Sequence, residues 1–273
     1  MVVHLVDGTY ELFRHFYGQR RFNEGKDAPF GGVIGVLGTV LQMIETGATH
    51  IGVATDHVIE SFRNALWPGY KTGEGLDPAL LAQFHPLEDA LVAMGVATWA
   101  MVELEADDAL ASAAYLAAKD KRVEKVCIWT PDKDLGQCVS GDRVVQIERR
   151  TLKVRNEAGI LEKFGVGPAL IPDFLGLVGD AADGYPGIKG IGKTGAARLL
   201  NRYGPIETWP PEALGDKRDL ALLFKKLATL RSDAPLFRRV DELRWAGPTP
   251  AFQSIATRMD ASRLLERAMK TLG

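Results

Sequence analysis

Cysteine is nearly absent: the 273 residues hold two, Cys127 and Cys138. They make no CxxC pair and have no neighbouring histidine, which excludes a zinc ribbon and a disulfide-stapled fold. No hydrophobic run approaches the roughly 18 residues of a membrane span, and the opening MVVHLVDG has no basic stretch ahead of its apolar run. A cytoplasmic location without a membrane partner is therefore expected. There is no fixed-period repeat, low-complexity segment or coiled-coil seam, so solenoids are excluded and a monomer is expected. An excess of positive charge is missing as well. The net charge is −2 and the pI about 6.2, a balance that argues against a nucleic-acid partner unless the acids are concentrated in one place.

What is present is an ordinary globular composition, 46% hydrophobic and 25% charged, in a chain long enough for one main core and a smaller appendage. Three short apolar segments share a pattern. VVHLV (2–6) runs into Asp7, HIGVAT (50–55) into Asp56, and KVCIWT (125–130) into Pro131, Asp132, Lys133 and Asp134. Each is short, almost continuously apolar and rich in β-branched residues, and reads as a buried strand. Helical spacing appears in GGVIGVLGTVLQMIETG (31–47) and in the Ala-rich DDALASAAYLAAKDK (107–121). Strands alternating with helices imply an α/β fold with a mostly parallel central sheet. Such sheets bind ligands beyond the carboxyl ends of their strands, where Asp7, Asp56, Asp132 and Asp134 fall.

Two further acidic groups follow. MVELEADDALAS (101–112) sets Glu105, Asp107 and Asp108 at the start of the Ala-rich helix, spaced so that their side chains can converge around its first turn, and LVGDAADGYPG (177–187) holds Asp180 and Asp183. Alone, each group admits a plainer reading: helix capping for the first, a turn for the second, and a solvated Pro-Asp turn for TPDKD. Brought together, nine carboxylates cannot all ionise without cations. Hard oxygen donors select Mg²⁺ or Mn²⁺, and two such ions about 4 Å apart can align a water, polarise a phosphate and stabilise a leaving oxygen. Setting the nine aside leaves 26 acids against 33 Lys and Arg, net +7 for the remainder, enough for a basic rim around an acidic centre.

From about residue 160 the chain turns helical. PALIPDFLGLVG (168–179) and TGAARLLNRYG (194–204) read as helices flanking GIKGIG (187–192), with more helix at 218–231 and near 260–271. GIKGIGKT (187–194) satisfies the phosphate-loop pattern G-x-x-x-x-G-K-T, but that loop follows a strand, whereas GDAADGYP before it reads as a turn. The better reading is a helix-hairpin-helix. Gly187, Gly190 and Gly192 permit a tight turn whose N–H groups and following helix N-terminus meet a phosphate, and Lys189, Lys193 and Arg198 add attraction to the backbone. Such a grip predicts little sequence specificity.

Taken in order, VDGTYELFR (6–14), VATDHVIESFRNALWPGYK (53–71), MVELEADDALAS, TPDKDLGQCV (130–139), LVGDAADGYPGIKGIGKTGAARLL (177–200) and LATLRSDAPL (227–236) resemble the 5'-nuclease family. That family comprises the 5'-3' exonuclease domain of bacterial DNA polymerase I, phage 5' exonucleases and flap endonucleases, and the resemblance spans essentially the whole chain. It implies a PIN-like core over residues 1–160, with a helical arch region at about 64–90. A helical region over 161–273 would follow, with its helix-hairpin-helix at about 168–204 holding duplex DNA. The implied metal set is Asp7, Asp56, Glu105, Asp107, Asp108, Asp132, Asp134, Asp180 and Asp183, for two or more Mg²⁺ or Mn²⁺ ions. Lys71 and Arg63 are implied at the scissile phosphate, so that the catalytic group is Lys71, Arg63, Asp7 and Asp132. Tyr70 is placed near the terminal bases, and Arg14, Lys189, Gly190, Gly192, Lys193, Thr194 and Arg198 on DNA. Carbonyls of the hairpin are implied to hold K⁺ against a duplex phosphate.

Three departures from the family pattern stand out. Thr72, Gly73, Glu74 and Gly75 follow Lys71 where an Arg is common, making the arch less basic; Gly184 replaces an amide residue after Asp183; and Pro131 replaces a common Gly before Asp132. The implied activity is that of a structure-selective 5'-3' exonuclease and flap endonuclease in replication or repair. Its substrates would be branched, nicked, gapped or 5'-ended duplex DNA, and a phosphate grip extends them to RNA–DNA hybrids. No polymerase module follows, so a separate DNA polymerase and ligase are expected as functional partners. A non-catalytic DNA-structure clamp and a PIN-like ribonuclease are the alternative readings.

Overall fold

The computed structural model describes residues 1–20 and 28–272. The first part of the chain runs β1 (Val2–Asp7), α1 (Gly8–Arg20), α2 (Gly31–Glu45), β2 (His50–Asp56), α3 (Phe62–Leu66), α4 (Pro78–Leu81), α5 (Phe84–Ala93), β3 (Ala97–Met101), α6 (Ala106–Lys119), β4 (Lys125–Trp129), β5 (Val144–Glu148) and β6 (Lys153–Arg155). The remainder is helical: α7 (Glu157–Phe164), α8 (Ile171–Val178), α9 (Lys193–Tyr203), α10 (Arg218–Ala228), α11 (Ala251–Arg258) and α12 (Ser262–Thr271). The sheet order is β3-β2-β1-β4-β5-β6, parallel through β5 with β6 antiparallel at one edge. The α/β reading with a mostly parallel sheet is borne out.

Strand alternation sorts the core into two layers. Val6, Ile51 and Val53 face α1, α2 and α5, packing with Val36, Leu37 and Leu91. Val3, Leu5 and Ala54 belong to the cluster built by Ala109, Leu110 and Ala113 of α6. The turn from β1 into α1 is possible because residue 8 is glycine. A Cβ there would stand 2.7 Å from Val53 Cγ1 and 2.9 Å from the Ala54 carbonyl oxygen, closer than real contacts allow, so the chain reverses tightly against β2 and leaves Asp7 at the sheet edge.

A third cluster, containing Phe174, Leu177, Leu200 and Phe224, joins α8, α9 and α10. Residues 179–186 between α8 and the glycine-rich turn form a turn pinned by mutual backbone bonds between Asp180 and Tyr185. No strand leads into Gly187, so the phosphate-loop reading fails on its own criterion and the helix-hairpin-helix stands. The last two helices return to the first layer, where Phe252, Leu264 and Ala268 complete the core of α2 and α5.

Candidate active site

The parallel register brings the acids together. Asp7 pairs opposite Ala54, two residues before Asp56, and β4 runs beside β1 up to Trp129, so that Thr130 lies beside Asp7. Thr130 Oγ1 donates to Asp7 Oδ2 at 2.9 Å, and the Tyr10 N–H donates to Asp7 Oδ1 at 2.8 Å. The Ala106 N–H, at the start of α6, donates to Asp56 Oδ1 at 2.8 Å. Beyond β4, the Asp134 N–H donates to Asp132 Oδ1 at 2.9 Å, and the Gln146 side-chain amide donates to the Asp132 carbonyl.

Charge interactions divide the cluster into two connected groups. Burial, then the charge of Asp56 and that of Asp132, pushes the Asp7 carboxyl up to about 7. Asp107 is held well above the usual carboxylate range by burial and by Asp132 and Asp7, and Asp56 is raised chiefly by burial. The second group is Asp134, Asp180 and Asp183, each offering a carboxylate oxygen within 4.8 Å of the others. Asp134 is raised well above its ordinary range by burial and by Asp132, Asp183 and Asp180. Asp183 is raised to about 6, mainly by burial, with Lys71 opposing the rise. Among the described residues, the buried Oδ1 of Asp134 has no hydrogen-bond partner. An unpaired buried oxygen among crowded carboxylates is what a divalent cation with oxygen ligands would satisfy, so the residues present fit that group.

Two lysines partly neutralise the cluster. Lys71 Nζ lies 2.8 Å from Glu105 Oε2 and 3.2 Å from Asp183 Oδ1, and Lys133 Nζ lies 2.5 Å from Asp180 Oδ2. Burial opposes ionisation of Glu105, but Lys71 and Arg63 outweigh it and hold the carboxyl below the usual range. Lys133 was not anticipated as a site residue, although its place between Asp132 and Asp134 in TPDKD is a visible signal.

Three of the expected site residues are engaged by the protein itself. Asp108 is turned toward Arg63. It is the third residue of α6, and its Oδ2 accepts from the Glu105 N–H at 3.0 Å and from Arg63 Nη1 at 2.7 Å, while Oδ1 accepts from Arg63 Nη2 at 2.8 Å and from the Arg231 N–H at 2.8 Å. Its oxygens are fully engaged and the residue is completely buried. Arg63 is 1% exposed, and its remaining donors reach the Leu227 and Thr229 carbonyls at 2.7 and 3.1 Å. Tyr70 offers no free ring for stacking, because it is buried in the α8–α10 cluster and its hydroxyl donates to Glu105 Oε2 at 3.3 Å.

Gly184 serves a backbone purpose. Its φ is +82°, and a Cβ would stand 2.0 Å from the Gly69 carbonyl oxygen. The Lys71 N–H donates to the Asp183 carbonyl and Trp67 Nε1 to that of Gly184, so the close crossing couples the Lys71 segment to Asp183. Among the expected DNA contacts, Lys189, Gly190, Gly192, Lys193, Thr194 and Arg198 are all exposed on the hairpin and the first turns of α9. Arg14, partly exposed, pairs with Glu11 at 2.5 Å and lies 2.8 Å from His15.

Comparison with known proteins defines the class. The family description "5'-3' exonuclease, N-terminal resolvase-like domain" matches residues 2–165, and "5'-3' exonuclease, C-terminal SAM fold" matches residues 166–251. The chain belongs to the 5'-3' exonuclease family.

Among its relatives, a 5'-3' exonuclease of Aquifex aeolicus is 30% identical over 259 residues, covering 90% of this chain and 87% of the relative. One of Buchnera aphidicola is 32% identical over 248 residues, covering 84% and 81%. DNA polymerase I of Pseudomonas aeruginosa is 32% identical over 259 residues, but this chain spans only 28% of its length. The phage T5 D15 protein co-crystallised with metal ions shares the fold with a TM-score of 0.67 at 19% identity, over 98% of this chain and 100% of that one. The catalytic core of Rad2 in complex with DNA substrate does so with a TM-score of 0.57 at 12% identity, over 98% and 91%.

Proposed function

We propose that the protein is a structure-selective 5'-3' exonuclease and flap endonuclease that hydrolyses DNA phosphodiesters with two or more Mg²⁺ or Mn²⁺ ions. The observation that carries this reading is the continuity of one segment. Asp180 and Asp183 of the acidic centre lie in the turn that leads directly into the glycine-rich hairpin at 187–192, whose Lys189, Gly190 and Gly192 are exposed. A duplex gripped at the hairpin is thereby referred to the carboxylates by a few residues of fixed backbone, which suits cleavage at a set distance from a duplex junction.

Asp7, Asp56, Asp107 and Asp132 on one side, and Asp134, Asp180 and Asp183 on the other, would hold the divalent ions, with Glu105 between Lys71 and Arg63. Bound there, the ions supply Lewis acidity and a water made nucleophilic at neutral pH. Lys71, partly exposed beside Glu105 and Asp183, is placed to meet the scissile phosphate and to neutralise charge developing on it. Glu105 and Tyr70 hold the Lys71 segment, and Arg63 with Asp108 anchors the base of α6. At the hairpin, exposed Lys189, Lys193 and Arg198 contact duplex phosphates, Gly190, Gly192 and Thr194 let the backbone approach, and turn carbonyls hold K⁺. Nicked, gapped, flapped and 5'-ended duplexes are the proposed substrates, with RNA–DNA hybrids included.

The test is cleavage, in Mg²⁺, of three 3'-labelled DNAs: a 5' flap, a nicked duplex and a single strand. The proposal expects the flap or nick to be cut in preference to the single strand. Binding of the flap without cleavage in Mg²⁺ or Mn²⁺ would leave a DNA clamp, and preferred cutting of single-stranded RNA would point to a ribonuclease.

A further inference from the structure

Away from the carboxylate centre, His57, His85 and Glu88 offer ligand atoms within 4.8 Å of one another. We infer that these three side chains form a second metal site, selective for a zinc-class transition ion over Mg²⁺.

Three elements build it. His57 follows the last residue of β2, and its N–H donates to the Met101 carbonyl at 2.8 Å, which fixes its backbone against the end of β3. His85 and Glu88 stand three residues apart on α5, a spacing that places both on one helix face. The two imidazoles lie with ring centroids 4.2 Å apart, and His57 Nδ1 is 2.7 Å from Glu88 Oε2.

The donor set decides the ion. Two imidazole nitrogens and one carboxylate oxygen suit Zn²⁺ and its neighbours in the transition series, whereas Mg²⁺ prefers oxygen ligands and retains its waters. Three protein ligands leave a fourth position, and His85 is exposed, so an ion and a further small ligand can enter from solvent. The site also has the outer support that metal carboxylates require: Thr55 Oγ1, which is buried, donates to the other Glu88 oxygen at 2.9 Å. Among the described residues the His85 side chain makes no hydrogen bond, so its exposed ring, packed beside His57, can turn a nitrogen toward an ion. An ion here would tie the carboxyl end of β2, one residue beyond Asp56, to α5.

The experiment measures bound zinc per chain in untagged protein after dialysis with excess Mg²⁺, which occupies the oxygen-only centre, and records the visible spectrum after Co²⁺ loading. It uses the wild type, His85→Ala, Glu88→Gln, and an Asp134→Asn/Asp183→Asn double variant. The inference expects one zinc per chain in the wild type and in the double variant, with strong four-coordinate Co²⁺ bands. Affinity should fall at least about tenfold in His85→Ala and Glu88→Gln, a loss typical of disturbing such a site. His85 is exposed, so its variant remains informative even if Glu88→Gln does not fold. Zinc bound equally well by His85→Ala, zinc lost with the double variant, or no zinc retained against Mg²⁺ would each overturn the inference.

Discussion

Replacing Asp7 by Asn separates the stability of the acidic centre from its chemistry. The Asp7 carboxyl is raised from 3.8 to about 7 by burial and by neighbouring Asp56 and Asp132. A carboxyl raised in the folded state favours folding fully below its unfolded value, and that contribution disappears as pH rises through the folded value. In metal-free protein the stability attributable to Asp7 is therefore present near pH 4 and gone by pH 8. A shift of roughly three units corresponds to about 4 kcal/mol at most, and sharing of the repulsion among neighbours brings the expected loss to about 2–4 kcal/mol.

Asn removes the charge while retaining the geometry. Its carbonyl can accept from the Tyr10 N–H, and its amide can donate to Thr130 Oγ1, which now accepts. Thermal unfolding in EDTA should show the variant melting about 5–10 °C above wild type at pH 8, with the gap closing toward pH 4. Adding Mg²⁺ at pH 8 should restore much of the wild-type deficit by binding the folded state and do less for the variant, whose cleavage rate should fall by about 10²-fold or more. A variant less stable than wild type in EDTA at pH 8, or a gap independent of pH, would refute the reasoning.

Arg63→Gln leaves Asp108 buried without its bidentate partner and should cost about 3–5 kcal/mol, read in urea unfolding; unchanged stability with lost cleavage would return Arg63 to the phosphate. Lys71→Ala should keep the far-ultraviolet circular dichroism of wild type while single-turnover cleavage falls about 10²-fold or more. Gly184→Ala must relieve a 2.0 Å approach to the Gly69 carbonyl at a positive φ, so it should lower stability by more than about 1 kcal/mol and weaken cleavage together. Removing Lys189, Lys193 and Arg198 together should weaken duplex binding similarly for all sequences and flatten its salt dependence, as measured by fluorescence anisotropy.

The strand-borne acids were legible because a short β-branched run ending in Asp encodes both a buried parallel strand and its carboxyl edge. Asp7, Asp56 and Asp132 needed nothing further. Glu105, Asp107 and Asp108 show where spacing stops being informative. Successive residues on a helix point about 100° apart, so Asp107 faces Asp132 while Asp108 turns back to cap Glu105 and pair with Arg63. The pairing is closed by the Leu227 and Thr229 carbonyls, more than 160 residues further along the chain, and no local pattern announces that. The burial of Tyr70 is hidden from the sequence for the same reason, since it depends on α8 and α10. Gly184 was read as a lost amide because its meaning, a close crossing with Gly69, exists only in three dimensions. The His57, His85 and Glu88 group had a partial signal in HPLE, two donors at helical spacing, but its third member comes from another element.

The most direct test of the central claim is single-turnover cleavage of a 5'-flapped duplex by wild type and Asp132→Ala, in Mg²⁺ and in EDTA, with DNA binding measured in parallel. Asp132 is exposed, so its replacement leaves the packed core untouched. The account predicts Mg²⁺-dependent cutting by wild type, none in EDTA, and a severely slowed Asp132→Ala that binds the flap as wild type does. Cleavage that persists in EDTA, or an Asp132→Ala variant that cuts at the wild-type rate, would contradict it.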